Sequence, residues 1–217
     1  MTELAIGEGH KRIYQDLLAK LASADVCTSA RNLGLVFNAD GQIELPFGGM
    51  SYLISAGGVR LANGKRPHPI AASALIHYVL LGSEKRPAGK FVAFSELAGP
   101  LFKHGGYSSG ALESPIAKRF QGRVEELIFK AESMGGRLGG QAGQGAISLV
   151  FDLVPHIPLQ LVFYDRDDEF TARATLLCDR NATLLIDFEA LAVLTTVFVN
   201  ILTGEGPFKK FSAVKRE

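Results

Sequence analysis

Residues 106–110 read Gly-Tyr-Ser-Ser-Gly and match the G-x-S-x-G pattern that surrounds the nucleophilic serine of many hydrolases. In that pattern Ser108 attacks a carbonyl carbon after a neighbouring base has taken its proton. His104 and Glu96 precede the motif and are the candidate acid/base pair. The motif predicts a hydrolase or metal-assisted enzyme with its site at the Gly/Ser loop 104–113. Against this, the residues just before the motif include a lysine and a histidine and make a poor buried strand.

A second group of residues that could do chemistry is a run of carboxylates in the C-terminal third of the chain. Side chains this close repel one another unless they are solvated, paired or bound to a cation. Three interpretations compete: a solvated turn in which Asp side chains bond nearby backbone N–H groups, a Ca²⁺ or Mg²⁺ site, and an acidic docking edge. An EF-hand is excluded because Phe170 and Leu176 stand where that loop needs Gly and Glu. The candidate metal ligands are Asp165, Asp167, Asp168 and Glu169.

Three residues outside these groups are candidates for ligand binding: Tyr107 in the Gly/Ser loop, His156 in a Pro-flanked turn, and Arg173. Arg173 is also placed to pair with the acidic run. A second Gly-rich loop, 135–145, lies between a predicted helix and a predicted strand, whereas a phosphate cradle needs the order strand, loop, helix. No catalytic motif is complete. We therefore expect a non-catalytic accessory domain that binds a small ligand or a protein partner in a cleft beside the Gly-rich loops.

Composition limits the partners further. Lys and Arg total 23 against 22 Asp and Glu, for a net charge of +1, which argues against binding to nucleic acid or to an anionic membrane surface. The two cysteines, Cys27 and Cys178, form no C-x-x-C pair, so no iron–sulfur or Cys-rich zinc centre is indicated. Two thiols without a disulfide framework suit a cytoplasmic location. The longest apolar stretch, 190–202, is shorter than the roughly 20 residues that span a bilayer.

Apolar periodicity predicts the elements that must position these residues. Grouped strands, rather than strands alternating with helices, favour an α+β fold in a single domain, 1–217, with antiparallel sheet packed by helices. The apolar period of 3.6 predicts helices over 10–23, over 70–81, from a Ser114 N-cap toward Gly135, and from an Asp187 cap to Leu202. Short apolar runs predict an N-terminal meander within 33–61, a short strand over 91–94, and a C-terminal three-strand meander over 147–151, 159–164 and 170–177. A basic tail, 208–217, is expected to be mobile.

Two local details follow from the same patterns. A hairpin turn centred between Arg166 and Asp167 would place Phe163 opposite Phe170 and Gln160 opposite Arg173. His77 lies in an apolar helical run, so we expect it to be a hydrogen-bonded core residue.

The run Ile157 to Phe170, then 172–179 and 187–194, resembles the domain-of-unknown-function family 3786. The stretch Phe91 to Leu97 and the Pro-flanked helix near Ile70 are also similar to that family. The resemblance implies an intracellular setting in anaerobic metabolism and no catalytic residues that can be carried over. Some family members carry an iron–sulfur segment like that of corrinoid proteins, and this chain lacks the cysteines for one. A homodimer formed through an exposed sheet edge is compatible with either predicted function.

Overall fold

The computed structural model describes residues 8–98, 110–140, 143 and 145–205. This part of the chain has an α+β fold, as predicted, with two antiparallel sheets. The strands are β1 Val36–Phe37, β2 Ile43–Phe47, β3 Met50–Ser55, β4 Gly58–Leu61, β5 Phe91–Ala93, β6 Arg137–Leu138, β7 Ala146–Val154, β8 Ile157–Tyr164 and β9 Arg173–Asp179. The helices are α1 Glu8–Ser23, α2 Val26–Leu33, α3 Pro69–Leu81, α4 Phe94–Leu97, α5 Glu113–Phe120, α6 Val124–Ser133 and α7 Phe188–Leu202, with a 3₁₀ turn at Ala182–Leu184.

The first sheet is the N-terminal meander, in the order β1-β2-β3-β4. Its strands alternate as the sequence predicts: Ile43, Leu45 and Phe47 of β2 are buried, while Glu44 and Pro46 between them face away from the core. The sequence missed the fourth strand, β4, because its four residues begin with a glycine and contain an arginine.

The second sheet has the order β5-β9-β8-β7-β6, so the predicted C-terminal meander forms its centre and two short strands form its edges. On β8, Leu159, Leu161 and Phe163 are fully buried, which confirms the alternation of that strand. The buried side chains of both sheets belong to one hydrophobic core. The most apolar helices, α3 and α7, pack against each other within it.

Helix α7 begins where the sequence predicts, because the Asp187 carboxylate accepts a hydrogen bond from the Ala190 N–H at 2.9 Å. Among the described residues, no helix is both long and apolar enough to cross a membrane.

The predicted hairpin register between β8 and β9 is wrong. Phe163 lies opposite Ala174 and Gln160 opposite Leu177, and Arg173 pairs with Tyr164. The connection is wider than expected. Within it, Asp165 accepts the Arg166 N–H, and Asp167 accepts the N–H groups of Glu169 and Phe170.

Two smaller expectations also need correction, and one helix was not expected. The side chain of His77 is 45% exposed, with Nδ1 at 3.7 Å from Asp187, so it is not a core residue. Helix α5 begins at Glu113 after Leu112, so Ser114 is not its N-cap. Helix α2 was not predicted; it has only eight residues and buries only Ala30 and Leu33. The basic tail lies outside the described residues.

Candidate functional site: a cleft between the two sheets

An open cleft of about 930 Å³ lies between the first sheet and the β6–β7–β8 side of the second. One wall is formed by the end of α2, β1 and the β2–β3 hairpin, and the other by the end of α6, Arg137 of β6 and the β7–β8 turn. Apolar side chains such as Val36, Pro46 and Met50 line much of it. A cleft of this size and mixed character is typical of a site for a small organic molecule.

Two glycines in the β2–β3 turn set the distance between the walls. Gly48 and Gly49 both have positive φ, 59° and 76°, a conformation that side chains rarely adopt. A side-chain carbon at Gly49 would lie 2.6 Å from the backbone oxygen of Ser133, so only glycine lets this turn meet the end of α6. The hairpin is therefore fixed against α6 by a backbone contact, and the cleft lies beside it.

His156 occupies the most unusual backbone position of the cleft. Among the described residues it is the only non-glycine residue with positive φ, at 65°. The β7–β8 connection consists of Pro155 and His156, and a proline followed by a positive φ is typical of a type II turn, which favours glycine at the second position. The hydroxyl of the buried Tyr78 donates to the Pro155 carbonyl and holds the turn in place.

The His156 ring is wedged against the turn that follows α2. A side-chain carbon at Gly34 would lie 3.7 Å from Nε2. This nitrogen is buried and, within the part of the chain that the structure describes, has no hydrogen-bond partner. Burial lowers the pKa of His156 below its ordinary value of 6.5, and the charge of Arg86 lowers it further, while Asp152 acts in the opposite direction. The lowered pKa favours the neutral imidazole of His156.

Two of the charged side chains that line the cleft neutralise each other. Arg137 of β6 donates from Nη1 to Oδ2 of Asp152 on β7 at 3.2 Å. Each side chain is 58% exposed, so the pair lies at the wetted part of the wall and contributes little to stability. Because the two charges are opposite, the Arg137–Asp152 pair leaves this wall of the cleft without a net charge.

The opposite wall carries a carboxylate, Glu44 of β2. Ser51 of β3 donates its hydroxyl to Glu44 Oε1 at 2.6 Å, which fixes the orientation of the carboxylate. Glu44 is half-buried, and no Lys, Arg or His among the described residues forms an ion pair with it. It therefore presents an uncompensated negative charge to the cleft.

Of the three predicted ligand-binding residues, the structure places His156 in the cleft. Arg173 is exposed at the start of β9 and lines a separate cavity beside α5, together with Gly110 and Glu113. It forms no ion pair with the acidic run within the described residues. Tyr107 lies outside the described residues.

Two residues of the predicted catalytic group, His104 and Ser108, lie outside the described residues. Glu96 is exposed on α4, where Oε1 accepts the Ala93 N–H at 3.2 Å and closes the first turn of that helix. Glu96 lines a cavity of about 340 Å³ near Lys90, away from His156.

The acidic run forms a loop in which two of the acids bond the backbone. Asp165 Oδ1 accepts from the Gly122 N–H at 2.7 Å and ties the loop to the α5–α6 connection. Asp167 Oδ1 accepts from the N–H groups of the two residues that follow Asp168, at 2.9 and 2.7 Å. Among the described residues, no three His, Cys, Asp or Glu side chains come together to hold a metal ion.

Sequence reasoning missed three further polar residues of the cleft: Glu44 and Ser51 on the wall opposite His156, and Arg137 on the same wall. Polar residues at alternate positions of a strand are typical of a solvated face. The one available signal was Glu44 itself, a charge between two strongly buried positions of a short strand.

The fold and the cleft define a two-sheet α+β domain with a ligand-sized cleft between the sheets. The chain belongs to the family described as Domain of unknown function (DUF3786), whose profile matches residues 25–201 and so includes every residue of the cleft. Comparison with curated proteins and with solved structures finds no match.

Proposed function

We propose that this protein binds a small organic ligand in the cleft between its two sheets. The observation that carries the proposal is the His156 turn, where a non-glycine residue is held at a φ of 65° with a buried, unpartnered ring nitrogen in the wall of the cleft. Positive φ at a non-glycine residue costs on the order of 1–3 kcal/mol, and such strain concentrates at binding sites.

The cleft supports binding rather than catalysis. Ser51 and His156 both line it, but the Ser51 hydroxyl donates to Glu44 and is not activated by the imidazole. Within the described residues, then, the cleft has no serine hydroxyl bonded to an imidazole base. A binding or accessory role is what the chemistry of the lining supports.

The setting of this role is also part of the proposal. Cys27 and Cys178 are free thiols, which fits a reducing, cytoplasmic compartment. The family resemblance adds anaerobic metabolism as the context in which the ligand is met.

Amide chemical-shift mapping tests the proposal directly. We expect small aliphatic and aromatic amines, alcohols and carboxylates, added one at a time to labelled protein, to include compounds that shift the amides of Gly34, Glu44 and His156. The amides of Lys90 and Arg180, in the cavity near Glu96, serve as the internal reference.

A matched pair of variants on β1 locates the binding. Val36 lines the cleft whereas its neighbour Phe37 does not, and both side chains are exposed. Val36→Trp should obstruct the cleft and remove the shifts, and Phe37→Trp should leave them unchanged. Shifts that survive Val36→Trp, or a complete lack of shifts around the cleft with every compound, would contradict the proposal.

A further inference from the structure

The charges that line the cleft indicate which ligands it can accept. The charged side chains in its described lining are Glu44, Arg137 and Asp152. Arg137 and Asp152 are paired at 3.2 Å, whereas Glu44 has no cationic partner among the described residues. His156, in its neutral form, adds no compensating charge. The lining therefore carries a net charge of −1, located on the Glu44 carboxylate.

The surroundings of Glu44 are those of a preoriented acceptor. Ser51 holds Oε1 at 2.6 Å, which leaves Oε2 without a partner among the described residues. Glu44 and Pro46 share the outward face of β2, and Pro46 lies opposite Ser51 in the sheet, so the acceptor is on the cleft side of the strand pair. Pro46 and Met50 of the same hairpin also line the cleft and supply apolar surface close by.

We propose that the ligand is a small primary amine with an apolar body, whose ammonium group pairs with Glu44 while its carbon skeleton lies against the apolar wall. This inference rests on the proposed binding function and names the ligand class of the same cleft. An ammonium group donates to a carboxylate through a charge-assisted hydrogen bond, about twice as strong as a neutral one. A half-buried carboxylate strengthens that bond because water competes less for it.

Other ligand classes fit the cleft less well. A carboxylate ligand would be repelled by Glu44 and would have to separate Arg137 from Asp152 to gain a cation. A divalent metal ion needs several oxygen or nitrogen ligands, and the described residues offer no group of three. A neutral alcohol would find the apolar wall but would leave the Glu44 charge uncompensated.

Three probes of similar shape separate these classes: phenethylamine, 2-phenylethanol and 3-phenylpropionate. Calorimetry or amide-shift titration of the full chain should give phenethylamine the tightest binding. Glu44→Gln should weaken phenethylamine on the order of 10- to 100-fold, the range expected for a lost charged hydrogen bond. The same substitution should leave 2-phenylethanol unchanged, because the alcohol makes no ion pair.

Two controls make the result specific to the cleft. Glutamine retains a carbonyl that accepts from Ser51, so Glu44→Gln should keep the wild-type amide spectrum. Glu125→Gln removes an exposed carboxylate on α6 that does not line the cleft, and it should bind phenethylamine like the wild type.

The outcomes distinguish this inference from the proposed function. If the alcohol or the carboxylate binds in the cleft as tightly as the amine, or if Glu44→Gln leaves amine binding unchanged, the amine inference is overturned and small-ligand binding stands. If none of the three probes shifts the cleft amides of the wild type, the proposed function itself fails.

Discussion

The two connections of the C-terminal meander differ in how their polar groups find hydrogen-bond partners. In the β8–β9 loop, the side chains of Asp165 and Asp167 accept N–H groups of the loop itself, so the local polar residues satisfy the local backbone. In the β7–β8 turn, His156 adopts a positive φ, and its buried Nε2 has no partner among the described residues. The β8–β9 loop has the residues that its backbone conformation favours, whereas the β7–β8 turn holds a histidine where its conformation favours glycine.

This difference shows where a function can be sought. Residues that suit the local backbone conformation are explained by the fold alone. A residue that does not suit its conformation, with no neighbouring contact that offsets the strain, is expected at a functional site. The acidic loop was the more conspicuous feature of the sequence, but two of its four acids, Asp165 and Asp167, form the hydrogen bonds expected of a turn. The His156 turn is less conspicuous, and it lies in the wall of the cleft.

The largest expected effect concerns the hydrogen bond that holds the strained turn. Tyr78→Phe removes the hydroxyl that donates to the Pro155 carbonyl, and we expect a loss of about 1–3 kcal/mol in the free energy of unfolding because a part-buried acceptor is left unpaired. Urea denaturation measures this loss.

A second buried tyrosine provides the control for this prediction. Burial raises the pKa of Tyr52 to about 12, but its hydroxyl makes no hydrogen bond with another described residue. Tyr52→Phe should therefore change the free energy of unfolding by less than about 0.5 kcal/mol. Equal losses in the two variants would show that the bond to Pro155 does not hold the turn.

The next prediction tests whether the acidic loop is stabilised by the hydrogen bonds of its own side chains. Asp167→Ala removes the acceptor of two backbone N–H groups and should lower the free energy of unfolding by about 1 kcal/mol. Its neighbour Asp168 is exposed and accepts no hydrogen bond from a described residue, so Asp168→Ala should change it by less than about 0.5 kcal/mol. A Ca²⁺-dependent rise in Tm that both variants abolish would instead favour the cation-site interpretation.

A third prediction asks whether His156 is retained at the expense of stability. Asparagine adopts positive φ more readily than most residues and would remove the buried imidazole nitrogen. We expect His156→Asn to raise the free energy of unfolding by about 0.5–1 kcal/mol, while ligand binding in the cleft is weakened. Thermal unfolding measures the first effect and amide-shift titration the second. A variant that is less stable than the wild type would give His156 a structural role.

The smallest effect is the pH dependence that His156 contributes. Its pKa in the folded chain is lowered from 6.5, so the unfolded chain takes up this proton more readily than the folded one. The stabilisation is fully present above the unfolded pKa and is lost as the pH falls from there toward the folded pKa. The wild type should lose more stability on this acidification than His156→Asn. His68, whose pKa is lowered by burial and by His10, keeps its own contribution in both chains, and parallel pH profiles would contradict the prediction.

Much of the fold could be predicted because its signals are local. The alternation of Leu159, Leu161 and Phe163 depends only on the pleat of one strand, and the Asp187 cap depends only on the N–H groups of the next turn. Two short elements were missed: α2 has eight residues, of which two are buried, and β6 contains only two residues. The β8–β9 register was wrong because the loop between the two strands is wider than the expected turn.

The candidate site was harder to predict, since its members come from separate elements. His156 was a candidate because it lies in a Pro-flanked turn, but nothing in the sequence ranked it above Tyr107 or Arg173. Glu44 was not a candidate, because the sequence pattern of a strand is the same whether its outward-facing charge meets solvent or the opposite wall of a cleft.

By itself the sequence determined the α+β class, the two meanders, the main apolar helices and the family, all of which depend on residues close together in the chain. Only the tertiary structure decided that Glu44 faces a cleft and that Nε2 of His156 is buried beside Gly34. The reason is physical: period and capping are properties of neighbouring residues, whereas burial and charge compensation depend on which distant surfaces pack against each other.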